Sequence, residues 1–154
     1  MRMKTGISFV VDADPDRTMD AVTAIEMMPE WSSVYSDARI ATRDEQGRPI
    51  RVFVKAELLN FLDDQVLEYT WTDNQCSWKI TDSTRSAKGG GSIEIDFDPE
   101  TGGTEVRYSV DMYMPLPVPG ILLKRSVRKA LEAMVPSFTA FVQQYPEREN
   151  YQIL

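Results

Sequence analysis

Residues 104–145, TEVRYSVDMYMPLPVPGILLKRSVRKALEAMVPSFTAFVQQY, decide the fold. Thr104, Val106, Tyr108, Val110, Met112 and Met114 alternate with Glu105, Arg107, Ser109, Asp111 and Tyr113. A period of two predicts a strand with one buried face. Pro115-Leu116-Pro117-Val118-Pro119-Gly120 then continues neither strand nor helix. From Ile121 to about Tyr145 the period lengthens. Leu123, Val127, Leu131, Met134, Phe138 and Phe141 fall three or four apart, the stripe of an amphipathic helix. Such a helix is long enough to lie across a small sheet, and Pro136 inside it predicts a kink.

Working outward, Lys4 to Val11 reads as a first strand. Asp14 is a suitable N-cap, with Pro15 at the first helical position and Asp16 in the first turn. They predict a helix from about Pro15 to Glu26, and Pro29-Glu30-Trp31-Ser32 predicts a separate short turn. Further strands are expected over Val34 to Arg43, Arg51 to Leu59, Gln65 to Thr72, around Cys76-Trp78-Ile80, and over Ser92 to Asp98. Turns are expected at Glu45–Pro49, Asp63-Asp64, Asp73-Asn74 and Asp98–Gly103. In the third strand Val52, Val54, Ala56 and Leu58 face inward. The result is an α+β fold: a strand, two short helices, an antiparallel meander, then a long helix, with about seven strands in all. Residues 1–154 are expected to form a single domain. A bent sheet around one helix leaves room between them for a small apolar ligand.

Composition narrows the chemistry. The chain has 154 residues, one cysteine, no histidine and a net charge of −7. Without histidine there is no Ser-His-Asp or Cys-His nucleophilic site and no histidine-bound zinc. Any proton transfer falls to carboxylates, Tyr, Lys, Arg or water. The negative charge argues against nucleic acid as a partner. A lone cysteine and the lack of a signal-peptide core fit a reducing cytoplasm, the expected location. No cofactor and no metal is expected. Asp12, Asp14 and Asp16 imitate a calcium loop, but Arg17 and Thr23 stand where the loop needs Gly and Glu.

Trp31, Tyr69, Trp71, Trp78 and Tyr108 supply apolar area with polar handles, the material of an aromatic-walled cavity. Met112, Met114, Met134 and Phe138 complete the expected ligand-binding set. The apolar run from Met112 to Leu123 reads as a cavity gate, as an edge for a homodimer or transient membrane contact, or as core. Lys124, Arg125, Arg128 and Lys129 read as a solvated helix face, with attraction to an anionic membrane as the alternative. Gly89-Gly90-Gly91 bends a strand or lets a neighbour approach. Cys76 is expected inside as an inert small residue.

Several local marks, taken in order, resemble one superfamily. They are Asp14-Pro15, Met28-Pro29-Glu30-Trp31, Asp44 to Pro49, Cys76-Ser77-Trp78, Gly102-Gly103-Thr104 and Pro117 to Gly120. The chain resembles the START-like, or Bet v 1-like (SRPBCC), helix-grip superfamily, and within it the polyketide cyclase/dehydrase and lipid-transport group. The resemblance implies a curved antiparallel sheet wrapped around the C-terminal helix. It also implies a cavity for lipids, isoprenoids or aromatic polyketides. Cyclases of this kind tend to carry an aromatic residue where Met28 stands, and place basic and polar groups in the pocket. Tyr35 stands where they often keep a pocket tyrosine. The expectation is reversible binding of a small hydrophobic ligand. A polyketide aromatase/cyclase-dehydratase using Tyr35 and Tyr108 is the alternative, and a regulatory or interaction module without ligand is the third.

Overall fold

The computed structural model describes residues 2–146. Seven strands form one antiparallel sheet: β1 (Arg2–Val11), β2 (Tyr35–Arg43), β3 (Pro49–Leu58), β4 (Phe61–Trp71), β5 (Gln75–Ser83), β6 (Lys88–Phe97) and β7 (Thr104–Tyr113). Their spatial order is β1-β7-β6-β5-β4-β3-β2, so the first strand closes beside the last. Between β1 and β2 lie α1 (Pro15–Thr23) and a short 3₁₀ helix, α2 (Ile25–Glu30); the long helix α3 (Gly120–Gln144) ends the described chain. This is the α+β helix-grip arrangement. No helix among the described residues is long and apolar enough to cross a membrane.

The long helix follows its periodicity. Leu123, Val127, Leu131, Met134, Phe138 and Phe141 are all buried. At 25 residues it spans about 37 Å and continues through Pro136. Arg17 on α1 donates from Nε to the Tyr145 carbonyl at 2.5 Å, and from its terminal nitrogen to the Gln143 carbonyl. A cation on the last carbonyls of a helix satisfies orphan acceptors and opposes the helix dipole. The expected N-cap is in place: Asp14 Oδ1 accepts from the Arg17 N–H at 2.8 Å.

Two local expectations need correction. The first helix stops at Thr23 rather than Glu26, and Pro29 lies inside a second helix over Ile25–Glu30. Pro29 gives no N–H, and the turn is carried by i→i−3 bonds from its neighbours: the Met27 N–H donates to the Ala24 carbonyl at 3.0 Å and the Trp31 N–H to the Met28 carbonyl at 3.1 Å. Asp63-Asp64 is not a turn. The turn is Leu59-Asn60, at φ 52° and 67°, between the paired residues Leu58 and Phe61. Two central residues at positive φ make the primed hairpin turn whose twist matches the strands. β4 therefore starts at Phe61, and its alternation puts Asp63, Gln65, Leu67 and Tyr69 on the buried face.

The sheet parts at one end. β5 pairs with β6 only from Gln75↔Glu94 to Lys79↔Gly90. Beyond it, β5 stays with β4 as far as Ser83, while β6 stays with β7 from Lys88. The glycine run sits at this divergence. A Cβ on Gly91 would lie 2.5 Å from the Trp78 ring, and one on Gly90 would collide with the Trp78 carbonyl. Glycine here lets the Trp78 indole lie flat across β6.

Candidate functional site

A cavity lies between the sheet and α3. Val127, Ala130, Leu131 and Met134 line it from the helix; Trp78, Tyr108, Val110 and Met112 line it from the sheet. Leu58 and Phe61 at the β3–β4 hairpin, Arg85 and Ala87 after β5, and Pro115 and Leu116 before α3 line it too. The cavity measures about 60 Å³, well below the roughly 300–1,000 Å³ typical of small-molecule pockets.

A small chamber adjoins it, walled by Trp31, Tyr35, Tyr69, Cys76, Trp78 and Tyr108. Its 10 Å³ is about the room one water needs. Tyr35, Trp78 and Tyr108 border both spaces. The aromatic rings touch in series. Tyr69 stacks on Trp71 at 5.6 Å, Tyr69 meets Trp78 at 5.9 Å, and Trp78 meets Tyr108 at 5.4 Å. Trp31 packs edge-on against Phe138 at 4.9 Å.

Among the described residues, Trp31 Nε1 is the one buried side-chain nitrogen or oxygen without a hydrogen-bond partner, and Tyr35, Tyr69 and Tyr108 wall the same chamber. Buried polar groups are ordinarily paired. Burial pushes the Tyr35 phenol up to about 12 and the Cys76 thiol up to about 12. Tyr35 counts as partly covered overall because it borders the open cavity. Burial first, then the neighbouring Tyr35 and Cys76, raises Tyr69 and Tyr108 well above the ordinary phenol. Tyr69 is raised further by Tyr108.

The sign of the consequence is definite. Unfolded, these groups titrate near 10.0 for tyrosine and 9.0 for cysteine. The folded protein holds its protons longer. The stability they contribute is complete below those values and is lost as pH rises through them to about 12. Urea midpoints are expected to fall across that window. They should fall less steeply in a Tyr35→Phe, Cys76→Ala double variant, and equal slopes would contradict the burial.

The expected site residues separate into groups. Trp78, Tyr108, Met112, Met114 and Met134 border the main cavity, and Trp31, Tyr69, Trp78 and Tyr108 border the chamber. Trp71 and Phe138 border neither. Trp71 is partly buried, and its Nε1 donates to the Pro49 carbonyl at 2.5 Å. Phe138 is 1% exposed within the core. The apolar run divides: Met112, Met114, Pro115 and Leu116 border the cavity, whereas Ile121 and Leu122 are exposed. In the basic cluster, Arg128 donates to the Gly6 carbonyl and approaches Glu132 at 3.4 Å.

Asp63 and Gln65 were not among the expected residues, yet both line the cavity and are almost fully buried, at 4% and 6% exposure. Gln65 Nε2 donates to Asp63 Oδ2 at 2.8 Å. Ser83 Oγ, Thr84 Oγ1 and the Arg85 N–H donate to the same carboxylate at 2.7–3.2 Å. The alternation with Leu67 and Tyr69 was the signal that places them inside.

The fold defines a helix-grip protein with a cavity under its C-terminal helix. Over residues 3–141 the chain matches the family described as polyketide cyclase/dehydrase and lipid transport, and it belongs to that family. Among curated protein sequences none matches it. Among solved structures, a START superfamily protein from Mycobacterium smegmatis superposes with a TM-score of 0.79 at 19% identity, covering 92% of this chain and 97% of that one. A protein from Thermus thermophilus gives 0.73 at 17% identity, covering 95% and 99%. The Zhui aromatase/cyclase from a Streptomyces species gives 0.75 at 7% identity, covering 94% and 95%. At these identities the likeness is one of fold.

Proposed function

We propose that this protein reversibly binds a small hydrophobic molecule, a lipid, isoprenoid or aromatic polyketide, between its sheet and α3. The observation that carries this reading is an apolar cavity bordered by Tyr35, Trp78 and Tyr108, beside a chamber in which the buried Trp31 N–H has no protein partner. Burial of apolar ligand surface contributes about 25 cal/mol per Å² before ordering costs. Tyr35 and Tyr108, which border both spaces, then orient any oxygen the ligand brings.

A second reading, an aromatase/cyclase, draws on the shared fold with the Zhui enzyme and on Tyr35 and Tyr108 bordering the same space. With its phenol pushed up to about 12, Tyr35 is poorly matched to proton transfer near neutral pH. We favour binding without chemistry because Met28 stands where such cyclases carry an aromatic residue. Native mass spectrometry of freshly purified protein, followed by solvent release, tests it. A discrete apolar molecule bound one to one is expected. A protein that takes up none of a panel of lipids, isoprenoids and aromatic polyketides contradicts it.

A further inference from the structure

Gln65 is a polar side chain of the cavity wall whose orientation the protein fixes. Its amide faces the Asp63 carboxylate at 2.8 Å. A carboxylate oxygen accepts, so the amide nitrogen must be the atom on that side. Gln65 Oε1 and the second N–H are then turned away from Asp63. No group among the described residues bonds them. Gln65 is 6% exposed and lines the cavity together with Tyr35, Trp78 and Tyr108.

Asp63 is held as firmly. Ser83 Oγ lies 2.9 Å from Oδ1 and 2.7 Å from Oδ2, Thr84 Oγ1 lies 2.9 Å from Oδ1, and the Arg85 N–H lies 3.2 Å from Oδ1. Ser83 Oγ in turn accepts from the Ala87 N–H at 3.0 Å. Four donors compensate a carboxylate with no cation in ion-pair contact among the described residues. Its lone pairs are taken up by the protein, and its effect on the cavity passes through Gln65.

We propose that Gln65 anchors a hydroxyl group of the apolar molecule in the cavity, with Asp63 as the residue that positions its amide. This rests on the ligand-binding reading above. A hydroxyl both donates and accepts, and Gln65 offers the complementary acceptor and donor side by side. A methyl group in the same place would leave both unpaired, at the cost of a buried unsatisfied polar group.

The test uses two probes of similar shape, β-naphthol and β-methylnaphthalene, titrated by quenching of protein fluorescence. Wild type is expected to bind the naphthol about tenfold more tightly. Gln65→Leu should bring the two affinities together, mainly by weakening the naphthol. Asp63→Asn keeps an oxygen for Ser83, Thr84 and Arg85 but presents an N–H to Gln65. The glutamine amide must then turn over and offer only donors to the cavity. That variant should favour β-methoxynaphthalene, which only accepts, over the naphthol. Equal binding of naphthol and methylnaphthalene by wild type overturns the anchor and leaves ligand binding standing. Binding of neither probe overturns both. Should Gln65→Leu fail to fold, the wild-type ratio and Asp63→Asn decide the matter.

Discussion

Phe138→Ala is expected to destabilise the protein by about 3–5 kcal/mol. Phe138 is 1% exposed, and its ring meets Phe9 at 5.8 Å and Trp31 at 4.9 Å, both edge-on. Truncation removes those contacts and leaves a cavity that α3, pinned to β1 by Arg128 on Gly6 and to α1 by Arg17, cannot close by shifting. For a chain of this size, thermal unfolding monitored by circular dichroism should fall by roughly 10 °C. A loss under about 1 kcal/mol would mean that the helix is not clamped as described. Phe138 borders neither the cavity nor the chamber, so its part is to hold Trp31 in the chamber wall.

Ala130→Trp is expected to abolish most ligand binding while leaving the protein folded. Ala130 lines the cavity from α3, one turn from Val127 and Met134. An indole there takes space a ligand needs. Denying on the order of 100 Å² of apolar contact removes about 2.5 kcal/mol, roughly a hundredfold in affinity. Trp71→Ala makes a useful contrast: Trp71 is bonded to the Pro49 carbonyl and borders neither space, so probe affinity should stay near wild type. Titration of β-naphthol against both variants checks this, and equal loss in the two would show that the cavity is not where the probe binds.

Much of this architecture was legible in the sequence, because it rests on period. The alternation from Thr104 to Met114 and the stripe from Leu123 to Phe141 reappear as buried faces. Errors arose where one residue type serves two structures. Asp63-Asp64 looks like a turn because paired acids favour turns, yet four donors from Gln65, Ser83, Thr84 and Arg85 make a buried strand aspartate tolerable. Leu59-Asn60 was hidden because leucine rarely takes a positive φ. Trp71 shares the alternation of Tyr69, so period alone pointed it inward. Only the fold shows that the Pro49 carbonyl holds its indole at the end of β4, outside both spaces. The partnerless Trp31 N–H had no signature in one dimension at all.

The measurement that tests the central claim most directly is calorimetric titration of β-naphthol into wild type and Ala130→Trp at several temperatures. The account predicts binding at one site with a negative heat-capacity change, the mark of apolar burial, lost in the filled variant. Absence of binding by wild type, or binding that Ala130→Trp leaves unchanged, would contradict it.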